Sequence, residues 1–180
     1  MSSIIRIQDL RFTEYVTPDA IADRVSAIGK ALDERFKGVD SIITIITLKG
    51  AFMFAADLIR TMHTPMYIDM VKASSYKGGV TSTGTVTLSG FTEEFEGKHI
   101  LIIEDIVDSG RTIYALLDAL KDRNIASCTI TALCSKPSQH DIDISQEFVG
   151  FEFQPVFIVG YGLDYKEMGR ELPGIWRCID

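Results

Sequence analysis

The chain has 180 residues, 46% of them apolar, with 18 Lys and Arg against 25 Asp and Glu, a formal net charge of −7 and a pI near 5.0. This globular balance excludes a disordered tail, a collagen-like repeat and a disulfide-built miniprotein, and a chain this long buries roughly 70% of its unfolded surface in one core, so residues 1–180 are expected to form one domain. The acidic excess argues against non-specific nucleic-acid binding, which rests on neutralised phosphates, but leaves room for a small anionic ligand held by local donors.

In chain order, Arg6, Asp9 and Arg11 break the opening stretch, which does not read as a secretory leader. Thr17-Pro18-Asp19 is a helix start: a hydroxyl cap, a proline suited to the first helical position and an acid at the positive helix end. Ile21, Val25, Ile28, Leu32 and Phe36 then recur every three or four residues, one apolar helix face, which Lys37-Gly38 stops. Residues 41–47, Ser-Ile-Ile-Thr-Ile-Ile-Thr, are β-branched and apolar on both faces, the pattern of an internal parallel strand. They lie in the longest uncharged apolar run, far short of the roughly 18 residues that span a membrane. Phe54, Leu58, Ile59 and Met62 predict a second helix, and residues 67–72, 85–88 and 99–103 further strands. Residues 73–84 are small and polar and long for a connection, the profile of a lid or a disordered loop. Ile113, Leu116, Leu117 and Leu120 mark a third helix, and residues 128–133 and 156–159 complete the strands. Strands alternating with helices predict an α/β fold with a mostly parallel, twisted sheet flanked by helices. Cys128, Cys134 and Cys178 are odd in number with no C-x-x-C pair, which reads as buried or incidental thiols in a reducing cytoplasm.

Ligands of open α/β sheets sit beyond the carboxyl ends of the strands. Four segments leave a predicted strand with polar residues: Lys49-Gly50, residues 104–112, Lys136 and residues 161–164. The richest runs Leu101-Ile102-Ile103-Glu104-Asp105-Ile106-Val107-Asp108-Ser109-Gly110-Arg111-Thr112. Its second half suits a phosphate monoester: Gly110 allows close backbone approach, Ser109 and Thr112 carry hydroxyls, and a helix start presents free N–H groups and a positive dipole. Carboxylates repel phosphate, so Glu104 and Asp105 suit instead diol hydroxyls or a Mg²⁺ that shares its shell with phosphates. A ribose 5-phosphate satisfies both halves. The alternative is a plain capped helix, with Asp108 or Ser109 as the cap and the other acids decorating the first turn. There is no G-x-G-x-x-G turn, no G-x-x-x-x-G-K-[ST] loop and no G-x-S-x-G elbow, and His63, His99 and His140 lack metal-ligand spacing.

This 12-residue stretch resembles the phosphoribosyl-diphosphate (PRPP) signature of the type I phosphoribosyltransferases, and further segments resemble their hypoxanthine-guanine branch. The resemblance implies that family's fold, with a small hood formed by the terminal segments, and the use of Mg²⁺. It implies that Ser109, Gly110, Arg111 and Thr112 hold the 5′-phosphate. Leu48-Lys49-Gly50 matches the family's first loop, where the backbone meets the diphosphate, often through a cis peptide, and Arg170 matches its diphosphate-binding arginine. Ser75-Tyr76 with Ser82-Thr83-Gly84 is similar to the mobile lid. Lys136, in Cys134-Ser135-Lys136-Pro137, matches the lysine that donates to the purine 6-oxygen. Within residues 156–165, Val-Phe-Ile-Val-Gly-Tyr-Gly-Leu-Asp-Tyr, Phe157 matches the ring that stacks on the base. There Ile158 matches a backbone contact to the purine edge, and Asp164 a residue near the base and a second Mg²⁺. Glu104 and Asp105 are the remaining metal candidates, and Asp108 the general base that takes the N7 proton. Departures are few: Arg111 stands where some members have lysine, Met168-Gly169 precedes Arg170 where bulkier residues are common, and residues 138–146 match nothing in the family.

The implied reaction joins a 6-oxopurine (hypoxanthine, guanine or xanthine) to PRPP, in a cytoplasmic homodimer or homotetramer that binds neither nucleic acid nor membrane. Two rivals follow from the same residues. A regulatory protein could use the fold only to sense PRPP or nucleotides, but such a protein usually adds a basic nucleic-acid surface. Adenine is disfavoured as the base because its 6-amino group offers Lys136 no acceptor.

Overall fold

The computed structural model describes residues 4–75, 86–91, 94–142 and 148–180. Helix α1 (Pro18–Arg35) starts as predicted: the Thr17 hydroxyl accepts from the Ala20 amide at 3.3 Å, Pro18 opens the first turn and Asp19 follows it. Such a cap contributes about 1 kcal/mol. Two strands precede it, β1 (Ile4–Ile7) and β2 (Leu10–Val16), and β3 (Ile42–Leu48), α2 (Phe52–Thr61), β4 (Met66–Ser75) and β5 (Val86–Ser89) follow. Then come β6 (His99–Val107), α3 (Arg111–Leu120), β7 (Ser127–Ser135), a 3₁₀ turn at Pro137–Gln139, β8 (Phe148–Glu152), β9 (Ile158–Val159) and β10 (Ile175–Cys178).

Six strands form the central sheet in the order β5-β4-β3-β6-β7-β8, all neighbours parallel except the antiparallel β4–β5 edge. Side chains alternate across the middle strands, and both faces are covered. Ile42, Ile46, Leu101 and Ile103 pack with Val25, Leu32, Phe54 and Leu58 of α1 and α2. On the other face Ile43, Ile45, Ile100 and Ile102 pack with Ile113, Leu116 and Leu120 of α3. Burial on both faces is why these strands read as unbroken apolar runs. Each fully buried Ile or Leu here contributes about 1.5–3 kcal/mol.

The terminal segments build the second sheet, antiparallel β1-β2-β10-β9, which forms the hood. Here the strand predicted at 156–159 is corrected. Only Ile158–Val159 is extended, and it joins the hood, pairing with Trp176 and Arg177. The sixth central strand is instead β8, which the sequence reading did not assign. A Cβ on its Gly150 would lie 2.4 Å from the Leu133 carbonyl oxygen, so glycine is what lets β8 approach β7. From sequence alone the same glycine reads as a strand breaker. Among the described residues no helix is long and apolar enough to cross a membrane.

Candidate active site

Strands β3, β6 and β7 are neighbours and point the same way, so their carboxyl ends place Lys49-Gly50, the loop after Val107 and Lys136 side by side. β6 is longer than the predicted 99–103. It runs through Glu104 and Asp105 to Val107, so both carboxylates belong to the strand and not to a loop. Glu104 is buried beside the Thr47 hydroxyl, and its Oε2 has no hydrogen-bond partner among the described residues. Asp105 is half-buried, with Oδ1 accepting from the Ile106 amide at 2.8 Å. Its other oxygen lies against Gly50, where a Cβ would come within 1.5 Å of it. That contact accounts for the glycine after Lys49. The Leu48–Lys49 peptide bond is cis.

The turn into α3 decides against the capped-helix alternative. The cap position is Gly110, at φ 83°, and among the described residues no side chain caps the helix. Neither Asp108 nor Ser109 caps the helix, so its first N–H groups face a cavity of about 80 Å³ lined by Glu104, Asp108, Ser109, Gly110, Arg111 and Thr112 among others. Unbonded amides at the positive end of a helix are an anion cradle. Arg111 is engaged with Asp141 at 2.8 Å, and the Asp141 amide donates to the Ser109 carbonyl at 3.0 Å. The stretch just after the 3₁₀ turn thereby braces the loop.

At one wall of this cavity Asp108 meets Lys136, Oδ2 to Nζ 3.3 Å. The Lys136 side chain is only 9% exposed, whereas that of Asp108 is 52% exposed. An ammonium this buried is held by its partner, and the carboxylate keeps a face open to ligand.

The hood closes on the same end of the sheet. Gly162, at φ 100°, lies against the Gly50 carbonyl, to which a Cβ would come within 2.0 Å. Tyr161 donates its hydroxyl to Asp57 of α2. Arg170 donates to the Gly162 carbonyl at 2.8 Å and pairs with Asp164 at 2.7 Å, while its buried Nε has no partner among the described residues. Lys49 pairs with Glu167 at 2.8 Å, and Arg170 reaches the same Glu167 oxygen at 3.5 Å. Phe157 is 42% exposed, with Tyr165 edge-on at 5.5 Å and Phe12 tilted at 6.0 Å. Ile158 is buried in β9 opposite Arg177. Ser75 ends β4, and Tyr76, Ser82, Thr83 and Gly84 lie outside the described residues.

An orphaned buried carboxylate oxygen beside a second carboxylate is an acceptor set for hydroxyl donors or a hard cation. Among the described residues no three His, Cys, Asp or Glu side chains converge as a metal site. The Asp164 oxygens take Arg170 and the Glu167 amide. Glu104 and Asp105 fit Mg²⁺ nonetheless, because this ion commonly takes one or two carboxylates and fills its octahedron with water and substrate phosphate.

Residues 17–166 match the family model for the phosphoribosyl transferase domain. A hypoxanthine phosphoribosyltransferase of Salmonella typhimurium is 38% identical over 169 residues, covering 92% of this chain and 95% of the relative. The chain belongs to the hypoxanthine(-guanine) phosphoribosyltransferases. A hypoxanthine-guanine phosphoribosyltransferase of Streptococcus pneumoniae is 37% identical over 161 residues, 89% of each chain. Among solved structures, a hypoxanthine phosphoribosyltransferase of Staphylococcus aureus superposes with TM-score 0.85 at 35% identity, covering 92% of this chain and 90% of that one.

Three side chains of this phosphoribosyltransferase that shape the site were missed from sequence. Asp141, which holds Arg111, lies in the stretch that matched nothing. Asp57, the Tyr161 partner, reads as an ordinary helix-surface acid. Glu167 follows Lys166 in a turn with no glycine or asparagine to signal it.

The carboxylates also set a pH dependence. Burial, then the neighbouring Asp105 charge, pushes the Glu104 carboxyl well above its ordinary 4.5. Burial raises Asp105 too, partly offset by its hydrogen bond to Glu104 and by the Arg170 charge. The unfolded chain ionises Glu104 near 4.5 and the folded chain only well above that. This contribution to stability is therefore complete below about pH 4.5 and falls away as pH rises towards the folded value. Glu104→Gln is expected to flatten that decline and to unfold at a higher temperature than wild type near pH 8, while binding PRPP more weakly. Thermal unfolding from about pH 5 to about pH 8 checks it, and parallel curves for the two proteins would refute it.

Proposed function

We propose that this enzyme salvages purines, transferring the 5-phosphoribosyl group of PRPP to hypoxanthine or guanine to give a nucleoside 5′-monophosphate and diphosphate. The observation that carries the reading is the Asp108–Lys136 pair beside the anion cradle. A 6-oxopurine presents N7 and O6 side by side. Asp108 would accept the N7 proton while Lys136 donates to O6, an adjacent acceptor and donor matched to that edge. Adenine would set a 6-amino donor against the ammonium.

The α3 amides with Ser109, Gly110, Arg111 and Thr112 would hold the 5′-phosphate and fix the ribose over β6. Glu104 and Asp105 would accept from the ribose hydroxyls and hold Mg²⁺, and Asp164 would lie near the base and a second such ion. When bound, that ion neutralises charge on the phosphate and diphosphate oxygens as a Lewis acid. Lys49, the Gly50 backbone and Arg170 would take up the negative charge that grows on the departing diphosphate, the electrostatic role that usually supplies most of a rate enhancement. As C1 acquires oxocarbenium character, purine N9 attacks and Asp108 removes the N7 proton. Phe157 would stack on the base, Ile158 would meet the purine edge through its backbone, and Ser75 and Tyr76 would belong to a lid that excludes water. We read residues 1–180 as one domain. The exposed Tyr67, Ile68 and Met70 on β4 favour a dimer or tetramer, and three cysteines outside any disulfide favour the cytoplasm.

Nucleotide formation from PRPP and Mg²⁺, with hypoxanthine, guanine, xanthine and adenine in parallel, tests the reading. Turnover of hypoxanthine or guanine is expected. Tight PRPP binding with no turnover of any purine would favour the sensor instead. Lys136→Met, which keeps the buried aliphatic arm and removes the donor, is expected to raise the KM for hypoxanthine about 10- to 100-fold, the value of one hydrogen bond to a charged group. An unchanged KM would remove Lys136 from the base site.

A further inference from the structure

Residues 165–168 form a two-residue hairpin turn, closed by Tyr165 N–H to the Met168 carbonyl at 2.9 Å and Met168 N–H to the Tyr165 carbonyl at 3.0 Å. Both central residues have positive φ, Lys166 at 50° and Glu167 at 66°. Turns of this kind favour Asn, Asp and Gly at those positions because other side chains crowd the backbone. The backbone gives no reason for a lysine and a glutamate here. Their side chains do. Lys166 reaches back to Asp9, in the β1–β2 turn, at 2.9 Å. Glu167 reaches out of the hood to Lys49 on the β3 loop at 2.8 Å, and the same oxygen, Oε2, lies 3.5 Å from Arg170. Asp164 supports this placement by accepting the Glu167 amide at 2.8 Å and pairing with the same Arg170 Nη2 at 2.7 Å.

One carboxylate oxygen thus bridges two cations that come from different parts of the fold. A diphosphate oxygen on Lys49 and Arg170 would need the same position. We propose that Glu167 is a positioning residue that occupies the diphosphate site in the free enzyme, holding Lys49 and Arg170 in place, and is displaced by the diphosphate of PRPP. The inference rests on the role proposed above for Lys49 and Arg170. It gives the contact two effects. It keeps two neighbouring cations compensated while the site is empty, and it competes with diphosphate after transfer, favouring product release. Because Glu167 is exposed and its ion pairs lie in water, the competition is modest and reversible.

Calorimetric titration of diphosphate, and separately of nucleoside 5′-monophosphate, into wild type, Glu167→Gln, Lys49→Met and the double variant tests it. Glu167→Gln is expected to bind diphosphate roughly 3- to 30-fold more tightly, from lost repulsion and lost competition at an exposed site. Diphosphate should become a stronger product inhibitor by the same factor. Affinity for the nucleoside monophosphate, which carries no diphosphate, should not change. In the Lys49→Met background the gain should shrink, because the two substitutions act on one contact. Unchanged or weaker diphosphate binding by Glu167→Gln overturns the proposal, as does an equal gain for the monophosphate, which would indicate a general change in charge. If wild type binds PRPP but no diphosphate, the assignment of Lys49 and Arg170 falls, and this inference falls with it.

Discussion

Asp108→Asn is expected to lower kcat about 10²- to 10⁴-fold, the usual span for loss of a positioned general base. The substitution preserves size and the contact with Lys136 but removes the group that accepts the N7 proton. Asp108 sits where β6 ends and before Gly110 opens α3, so it borders the phosphate cradle without belonging to its helix-start amides. PRPP affinity should therefore stay close to that of wild type while turnover collapses. Pre-steady-state nucleotide formation with titrated PRPP separates the two. A kcat within about threefold of wild type would exclude Asp108 as the base. Lys136, buried beside it, would then be the residue to examine for control of the base.

Gly162→Ala is expected to be the most damaging single-atom change in the hood. Its φ of 100° disfavours any L side chain, and the added Cβ would sit 2.0 Å from the Gly50 carbonyl, a backbone atom that cannot swing away. Gly162 also exchanges backbone contacts with Arg170: its amide donates to the Arg170 carbonyl at 2.9 Å, and its carbonyl accepts from the Arg170 guanidinium at 2.8 Å. The clash would push the hood turn, Arg170 and the Lys49-Gly50 loop apart together. A loss of about 2–4 kcal/mol follows from combined backbone strain and overpacking. For a chain of this size that lowers the Tm by about 5–15 °C. Gly38→Ala is the control: Gly38 has φ 80° but nothing within 4 Å of an added Cβ, so it isolates the conformational cost, about 1–2 kcal/mol. Diphosphate binding should weaken in Gly162→Ala and not in Gly38→Ala. Equal losses of stability in the two would mean that the hood does not press on the β3 loop.

The central layers and the glycine-opened start of α3 were legible because they are written locally. The α1 face, the β-branched run of β3 and the acid-rich end of β6 each announce themselves within a dozen residues. The hood was legible only through resemblance. Its strands are short, β1 and β2 are broken by charges, and β9 has two residues, too few for any period to show. β8 was hidden by Gly150, whose purpose is visible only against the Leu133 carbonyl. The extent of β6 was underestimated because carboxylates inside a buried strand contradict the pattern that marks strands.

By itself the sequence determined the α/β architecture and the succession of a carboxylate-ended strand, a glycine and a helix, because backbone propensity and side-chain chemistry act over short spans. Tertiary structure alone decided what those residues face. It made Gly110 rather than Asp108 or Ser109 the cap of α3, paired Asp164 with Arg170, and set Glu167 across Lys49 and Arg170. These partners lie far apart in the chain, 118 residues in the case of Lys49 and Glu167. Non-local charge pairs leave no periodicity or spacing in a sequence; they exist only once the hood has closed on the carboxyl ends of the sheet.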